Sequence, residues 1–283
     1  MRLFMFDDYR LGVLTSSRRL ADVTGLVGAE VPHRDRMTAL IANWPRLRDQ
    51  VAAAAAGTAG VPLANALIRA PQPRPPKIVA APVNYRLHQA EMGGTGGVYP
   101  GAAIKTIETY AGFLKAPSSV TGPDGHVEIP SPGRRVDHEA ELGVVIGRTA
   151  SRVGRAEALA HVFGYVPLLD ITMRGEEDRS YRKSFDTFTP IGPAIVTADE
   201  VPDVGNLDIG LTVNGEPRQK ANTGELIYDV PRLIEFYSAA MTLEPGDLIA
   251  TGTPAGVGPL RPGDEIVLDV EQVGRLSMRV AAR

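Results

Sequence analysis

The chain contains no cysteine. That removes disulfides, thiolate zinc sites and cysteine nucleophiles together, and it accords with a reducing cytoplasm. Long apolar runs are missing too. No stretch approaches the roughly 20 residues of a membrane-spanning helix, and the alanine-rich segment 51–56 suits a surface helix. The opening Met1-Arg2-Leu3-Phe4-Met5-Phe6 is followed at once by Asp7 and Asp8, too early for the apolar core of a secretion signal. A cytoplasmic location is therefore expected. A strong charge of one sign is also lacking: the formal net charge is −3, so neither nucleic acid nor an anionic membrane is favoured as a partner. There is no Gly-x-Ser-x-Gly elbow, no His-Glu-x-x-His and no dinucleotide fingerprint. The glycine-rich Thr251-Gly252-Thr253-Pro254-Ala255-Gly256-Val257-Gly258 lacks the Lys-Ser/Thr ending of a P-loop.

What the sequence does hold is an ordinary globular composition over 283 residues, room for one large domain or a large and a small one. Residues 1–70 read as a small amino-terminal domain. Within it, Leu3–Phe6 and Leu11–Leu14 suggest a hairpin. The segment 36–56 has helical spacing, with Leu40, Ile41, Trp44, Leu47 and Val51 on one side. Residues 71–76 hold four prolines, a stiff extended linker. Residues 77–283 then read as the catalytic domain. Strands are expected at 78–81, 139–146, 165–169 and 207–213, the last running into an Asn214-Gly215 hairpin turn. Helices are expected at 155–163 and 230–240. Two Pro-Gly turns, Pro245-Gly246 and Pro262-Gly263, each precede a strand. Many short strands and few helices argue for a β-rich α+β fold, not a doubly wound sheet.

The most informative feature is the pair Glu139 and Glu141 inside Val136-Asp137-His138-Glu139-Ala140-Glu141-Leu142-Gly143-Val144-Val145-Ile146. In a strand, positions i and i+2 share a face about 6–7 Å apart. Two carboxylates facing an interior need positive compensation, and a hard divalent cation, Mg²⁺ or Mn²⁺, is the simplest. The alternative is an edge strand with both glutamates in water. His138 falls on the opposite face and is not read as a ligand. Asp170 ends the apolar run Val166-Pro167-Leu168-Leu169. It could be a third oxygen ligand that leaves about three octahedral positions open, or it could cap the following turn.

Three further places could carry chemistry. His88 and Glu91 lie at i and i+3, one face of a helical turn, where a carboxylate makes the other imidazole nitrogen a better base; the alternative is a surface ion pair. Just after them, Gly93-Gly94-Thr95-Gly96-Gly97 could serve as a lid. Lys183 could stabilise an oxyanion or be a solvated loop residue. The backbone amides near Gly252 and the Thr253 hydroxyl could hold a carboxylate.

Together these pieces resemble the fumarylacetoacetate hydrolase family, in its bacterial acylpyruvase and 2-hydroxyhepta-2,4-diene-1,7-dioate isomerase-like branch. The matching phrases are Asn84-Tyr85…His88…Glu91, Phe113-Leu114-Lys115-Ala116-Pro117-Ser118-Ser119, Asp137-His138-Glu139-Ala140-Glu141-Leu142, Gly164-Tyr165…Asp170-Ile171-Thr172…Arg174, Lys183-Ser184-Phe185-Asp186-Thr187 and Leu243…Thr251 to Gly258. The resemblance implies a mixed β-sandwich roll preceded by a small amino-terminal domain, and a homodimer. It implies Glu139, Glu141 and Asp170 as Mg²⁺ or Mn²⁺ ligands, and a His88–Glu91 dyad on a lid. Lys183 would contact the substrate oxygens, with Arg174, Gly252 and Thr253 as further substrate contacts. Arg174-Gly175-Glu176-Glu177 departs from the Arg-Asp-x-Gln of many members, and the loop before Lys183 is shorter.

The expected activity is hydrolysis of a 2,4-dioxo acid to pyruvate, or a related 2-oxo acid, plus a carboxylic acid. The same site could instead isomerise a 2-hydroxy-diene-dioate or decarboxylate an oxaloacetate-like 2-oxo acid. From other classes come a non-catalytic 2-oxo acid binder and a purely structural β-protein, which would leave Glu139 and Glu141 unexplained.

Overall fold

A computed structural model describes residues 1–131 and 133–283. Its backbone is a large mixed sheet of 11 strands facing a second sheet of five. The large sheet runs, in spatial order, Val61–Pro62, Arg19–Asp22, Arg10–Leu14, Arg2–Phe6, Ile195–Thr197, Val162–Leu169, Ala140–Ile146, Leu248–Ala250, Ile78–Ala80 and Phe113–Lys115, with Ile68–Arg69 also paired to Arg2–Phe6. The five-stranded sheet runs Glu216–Asn222, Asp208–Val213, Glu265–Val270, Gly274–Ala282 and His126–Ile129. This is the β-rich α+β architecture expected. Among the described residues no helix is long and apolar enough to cross a membrane.

The period-2 rule explains how Ala140–Ile146 can be buried along its whole length. Ala140, Leu142, Val144 and Ile146 pack with Leu211, Leu268 and Leu276 of the smaller sheet. Val145 packs on the opposite side with Leu3, Leu40 and Leu248. Each fully buried aliphatic side chain contributes roughly 1.5–3 kcal/mol, so this strand and its neighbours offset the several kcal/mol that each buried charge costs.

The amino-terminal segment is joined to the large sheet directly. Leu3 pairs with Val13 in the expected hairpin and with Ile195 on its other edge. Trp44 lies edge-on to Phe163 with ring centroids 5.0 Å apart. The helical stretch 36–56 is two helices, Arg36–Ala42 and Trp44–Ala56. Pro45 stands at the start of the second helix; its ring and missing N–H do not permit an unbroken helix through Ile41. The proline-rich stretch 71–76 is packed down: Gln72 is buried and donates to Thr38 Oγ1 (2.9 Å) and the Gly246 carbonyl (2.8 Å).

Turn chemistry behaves as expected. Asn214 and Gly215 both have positive φ, 54° and 80°, the signature of a type I′ hairpin, and Val230–Ala240 is a helix. One expectation is corrected. Residues 155–163 do not form a helix; a 3-10 turn at Ala158–His161 leads straight into the strand Val162–Leu169. Only Ala158 of that turn is buried, so no apolar helical face exists to dock, and Phe163 is taken by the sheet.

Strand packing is tight at Gly164. A Cβ there would lie 2.2 Å from the Val196 carbonyl oxygen, a backbone atom that cannot swing aside. Gly164→Ala is expected to destabilise the protein by about 1–3 kcal/mol, read as a lower denaturant midpoint at constant slope.

Candidate active site

The site lies where four strand ends meet. Val162–Leu169 and Leu248–Ala250 each run antiparallel to Ala140–Ile146, and Ile78–Ala80 runs parallel to Leu248–Ala250. The carboxyl ends of those three strands therefore gather at the amino end of Ala140–Ile146. Pairing of Ala140 with Leu169 is continued by a hydrogen bond from the Asp170 amide to the Glu139 carbonyl (2.9 Å). That register brings Asp170 beside the glutamate pair. One carboxylate oxygen from each of Glu139, Glu141 and Asp170 lies within 4.8 Å of the other two, and all three residues are buried.

Three cations hold this acidic group in place. Lys183 Nζ donates to Glu139 Oε2 (2.7 Å), Asp170 Oδ2 (2.6 Å) and Thr172 Oγ1 (2.6 Å). It also lies 5.3 Å from the centroid of the Phe113 ring. Lys115, fully buried, donates to Asp170 Oδ1 and to the Phe188 carbonyl. Arg174 spans Glu139 Oε1 (2.8 Å) and Asp137 Oδ2 (2.7 Å), and Arg135 meets the other Asp137 oxygen at 2.7 Å. The Gly252 amide donates to Glu141 Oε2 (2.8 Å).

These contacts set the protonation tendencies. Burial alone would raise the Glu139 carboxyl, but Lys183 and Arg174 hold it well below the usual carboxylate range. Burial would lower the Lys183 ammonium, but Asp170 and Glu139 hold it above its ordinary value. For Lys115 burial prevails over the attraction of Asp170, and its affinity for a proton falls. Glu141 is the least compensated: burial, then the nearby Asp170 charge, push its carboxyl well above the usual range despite Lys183. A cation beside Glu141 would reverse that imbalance. The donor set suits one. It offers three hard oxygens, and an oxygen that accepts one hydrogen bond keeps a second lone pair. Three protein oxygens would leave further positions of an octahedral ion to other oxygen ligands.

The expected water-activating pair is on the short helix Arg86–Gly93. His88 Nδ1 lies 3.1 Å from Glu91 Oε2, and the other Glu91 oxygen accepts from the Gly256 amide (2.9 Å). The helix is pinned at its root by Asn84, whose side chain bonds the Tyr228 carbonyl (2.9 Å), the Thr251 carbonyl (2.8 Å) and the Tyr228 amide (2.8 Å). His88, Glu139, Glu141, Asp170, Arg174, Lys183 and Thr253 line one cavity. Gly252 stands behind it, its amide committed to Glu141. His138 turns away as expected, its Nδ1 3.0 Å from Gln219 Oε1.

Some participants escaped the reading of the sequence. Lys115 is one; a lysine between Leu114 and Ala116-Pro117 is its one signal in the sequence. Gln219 reaches in from the smaller sheet, accepting from the Ala140 amide (3.0 Å) and donating to Thr253 Oγ1 and the Pro254 carbonyl, each at 2.8 Å. It sits in a hydrophilic strand, Glu216–Asn222, and nothing local marks it. Met92, Tyr99, Phe113, Arg179 and Arg182 complete the cavity wall.

Fold and site together define a class. Residues 77–281 match the model of the fumarylacetoacetate hydrolase carboxy-terminal domain, and the chain belongs to the fumarylacetoacetate hydrolase family, whose relatives include metal-dependent hydrolases, isomerases and decarboxylases. The chain is 39% identical over 285 residues to a maleylpyruvate hydrolase of Aquipseudomonas alcaligenes, covering 99% of each chain. It is 37% identical over 234 residues to an oxaloacetate tautomerase of Bacillus subtilis, covering 77% of this chain and 74% of that one. The crystal structure of maleylpyruvate hydrolase from Sphingobium sp. SYK-6 with manganese(II) and pyruvate is similar at a TM-score of 0.86 and 43% identity, covering 100% of this chain and 99% of that one.

A divalent cation bound at this site stabilises the folded state by mass action. Mn²⁺ at about a hundredfold excess over its Kd is expected to add about 2.7 kcal/mol, raising the thermal midpoint by about 4–5 °C. Glu141→Gln is expected to lose most of that rise; differential scanning calorimetry with and without metal checks both.

Proposed function

We propose that this chain is a divalent-cation-dependent hydrolase that cleaves the C3–C4 bond of a 2,4-dioxo acid of the acylpyruvate type, giving pyruvate or a related 2-oxo acid and a carboxylic acid. The observation that carries this reading is that His88, paired with Glu91, lines the same cavity as Glu139, Glu141 and Asp170. Mg²⁺ or Mn²⁺ held by those three carboxylates supplies the Lewis acidity that anchors the 2-oxo acid and draws electrons towards its C2 oxygen.

The residues of the chain do the remainder. Glu91 accepts from His88 Nδ1–H, leaving Nε2 as the basic nitrogen. His88 takes a proton from water as the water oxygen adds to C4. The C3–C4 bond breaks, its electron pair passing to C3 and the 2-oxo group; C4 departs as the carboxylic acid. Return of the proton from His88 to C3 completes the 2-oxo acid product. Lys183 offsets negative charge growing on the substrate oxygens, Thr253 and Arg174 orient its carboxylate, and the Gly252 amide holds Glu141 in place.

The likeness to the Bacillus subtilis oxaloacetate tautomerase supports a second reading: proton transfer or decarboxylation on an oxaloacetate-like acid, or isomerisation of a 2-hydroxy-diene-dioate. All of these use the same electron sink. Residues 77–283 serve as the catalytic domain, joined through 71–76 to a small domain of residues 1–70; the family match over residues 77–281 supports that reading. We further propose a cytoplasmic homodimer. The absence of cysteine suits that compartment, and the exposed Leu87 on the His88 helix is apolar surface available for an interface.

Wild-type protein with Mg²⁺ or Mn²⁺ is expected to release pyruvate from acylpyruvates. His88→Ala should lower kcat by about 10²- to 10⁴-fold, and excess chelator should abolish turnover. A wild type that binds oxalate yet releases no pyruvate from any of them would favour a non-catalytic binder.

A further inference from the structure

We propose that Gln219 is a positioning residue that sets the direction of the Thr253 hydroxyl, making that hydroxyl an obligate hydrogen-bond donor to the carboxylate of the bound acid. This deepens the hydrolase reading and rests on it for the placing of a substrate carboxylate at Thr253.

Gln219 is the one buried residue of the strand Glu216–Asn222. A primary amide buried there is stable only if its bonds are made. Its two ends cannot be exchanged. The Ala140 amide can only donate and the Pro254 carbonyl can only accept, so the oxygen of Gln219 must face Ala140 (3.0 Å) and its nitrogen Pro254 (2.8 Å). That orientation settles the two remaining bonds. His138 Nδ1, 3.0 Å from Oε1, must carry a hydrogen and donate it. Thr253 Oγ1, 2.8 Å from Nε2, must accept. The oxygen then accepts twice and the nitrogen donates twice, which is all this amide can do.

A hydroxyl that accepts still has its own hydrogen to give. Among the described residues the bond from Gln219 is the only one that the Thr253 side chain makes. The hydrogen cannot point back at an N–H that is itself donating. Thr253 is buried and lines the cavity beside Glu141, Asp170 and Lys183, so the hydrogen is left for whatever enters there. A carboxylate, which can only accept, is the matching group. The loop is also held too closely to swing Thr253 away. Pro254 is bonded to the same Gln219 amide. Gly256 stands so near the Arg218 carbonyl that a Cβ would collide with it, and the Gly256 amide holds Glu91. One amide from the smaller sheet thus aims the group that meets the carboxylate, on the loop that also braces the His88 partner.

Pyruvate binding to the Mn²⁺-loaded protein is measured by calorimetry for wild type, Thr253→Val, Gln219→Met and the double variant, with Mn²⁺ affinity in the absence of pyruvate as a second readout. Thr253→Val should weaken pyruvate by about 10- to 100-fold, the range of a hydrogen bond to a charged group. Gln219→Met, which frees the hydroxyl to rotate, should weaken it by about 3- to 10-fold. Added to Thr253→Val, Gln219→Met should cost less than about twofold, because the hydroxyl through which it acts is gone. Mn²⁺ affinity should change by less than about threefold throughout. A loss from Gln219→Met that is equal with and without the hydroxyl, or a matching loss of Mn²⁺ affinity, would mean that Gln219 only ties the sheets together and would overturn the proposal. If Gln219→Met does not fold, Gln219→Glu carries the same comparison. It keeps the shape and the bonds to Ala140 and His138 but takes the hydroxyl hydrogen for itself. Its penalty should exceed about tenfold beside Thr253 and fall below about threefold in Thr253→Val; equal penalties would overturn the proposal. No loss in Thr253→Val would sink both this proposal and the placing of the carboxylate, whereas a loss there with none in Gln219→Met would sink this proposal alone. Turnover of acylpyruvates enters none of these comparisons, so the hydrolase reading stands or falls separately.

Discussion

The structure depends on the neutralisation of three buried carboxylates. Glu139, Glu141 and Asp170 stand within a few ångströms of one another, away from bulk water, where each bare charge would cost several kcal/mol. Lys183 and Lys115 meet Asp170 from two sides, and Arg174 braces Glu139. Asp137 in turn keeps Arg174 and Arg135 in position, so compensation extends one residue beyond the acids themselves. The convergence of three hard oxygens within 4.8 Å of one another is what suits the group to a cation.

Backbone pairing, not side-chain reach, delivers these groups. Ala140 opposite Leu169 and Ala250 opposite Gly143 place Asp170 and the loop after Ala250 on either side of the glutamates. Gln219 then ties the smaller sheet to this junction: its carbonyl oxygen accepts from Ala140 and lies close to His138, and its amide donates to Thr253 and Pro254. A buried amide with both ends satisfied rigidifies its neighbourhood, and here it fixes the loop that carries Thr253. Val83, a β-branched residue at φ 48°, lies in the cavity wall; such a backbone persists only where its surroundings enforce it, as the bonds of Asn84 beside it do.

Much of this was legible in the sequence because it is local. Glu139 and Glu141 announce themselves through strand periodicity, His88 and Glu91 through helical spacing, and Asn214-Gly215 through turn chemistry. Asp170 was visible as an acid ending an apolar run. The groups that escaped notice act across the fold. Lys115 meets an acid 55 positions away and Gln219 reaches a backbone 79 positions away; no periodicity records such pairs. At 155–163 a helix was expected, but the sheet claims the end of the segment, tertiary packing overriding local preference. The break at Pro45 was written in the sequence but outweighed by the apolar stripe around it. The hydrogen bonding of Leu3 to the strand at Ile195 lay beyond any local pattern.

The parallel pairing of Ile78–Ala80 with Leu248–Ala250 has a consequence for how the chain reaches this state. Lys77 and Asp247, which close that pair, are 170 positions apart, and loops of such span form slowly because chain entropy must be lost before the contact rewards it. Emerging from the ribosome, the polypeptide would already contain all three acids and their lysines well before the strand at Leu248 is made. The acids would then wait in a half-built sheet, solvated and unable to grip an ion, until Leu248–Ala250 has been synthesised. Maturation of the centre is thereby tied to the synthesis of a strand about 110 residues downstream of the glutamate pair.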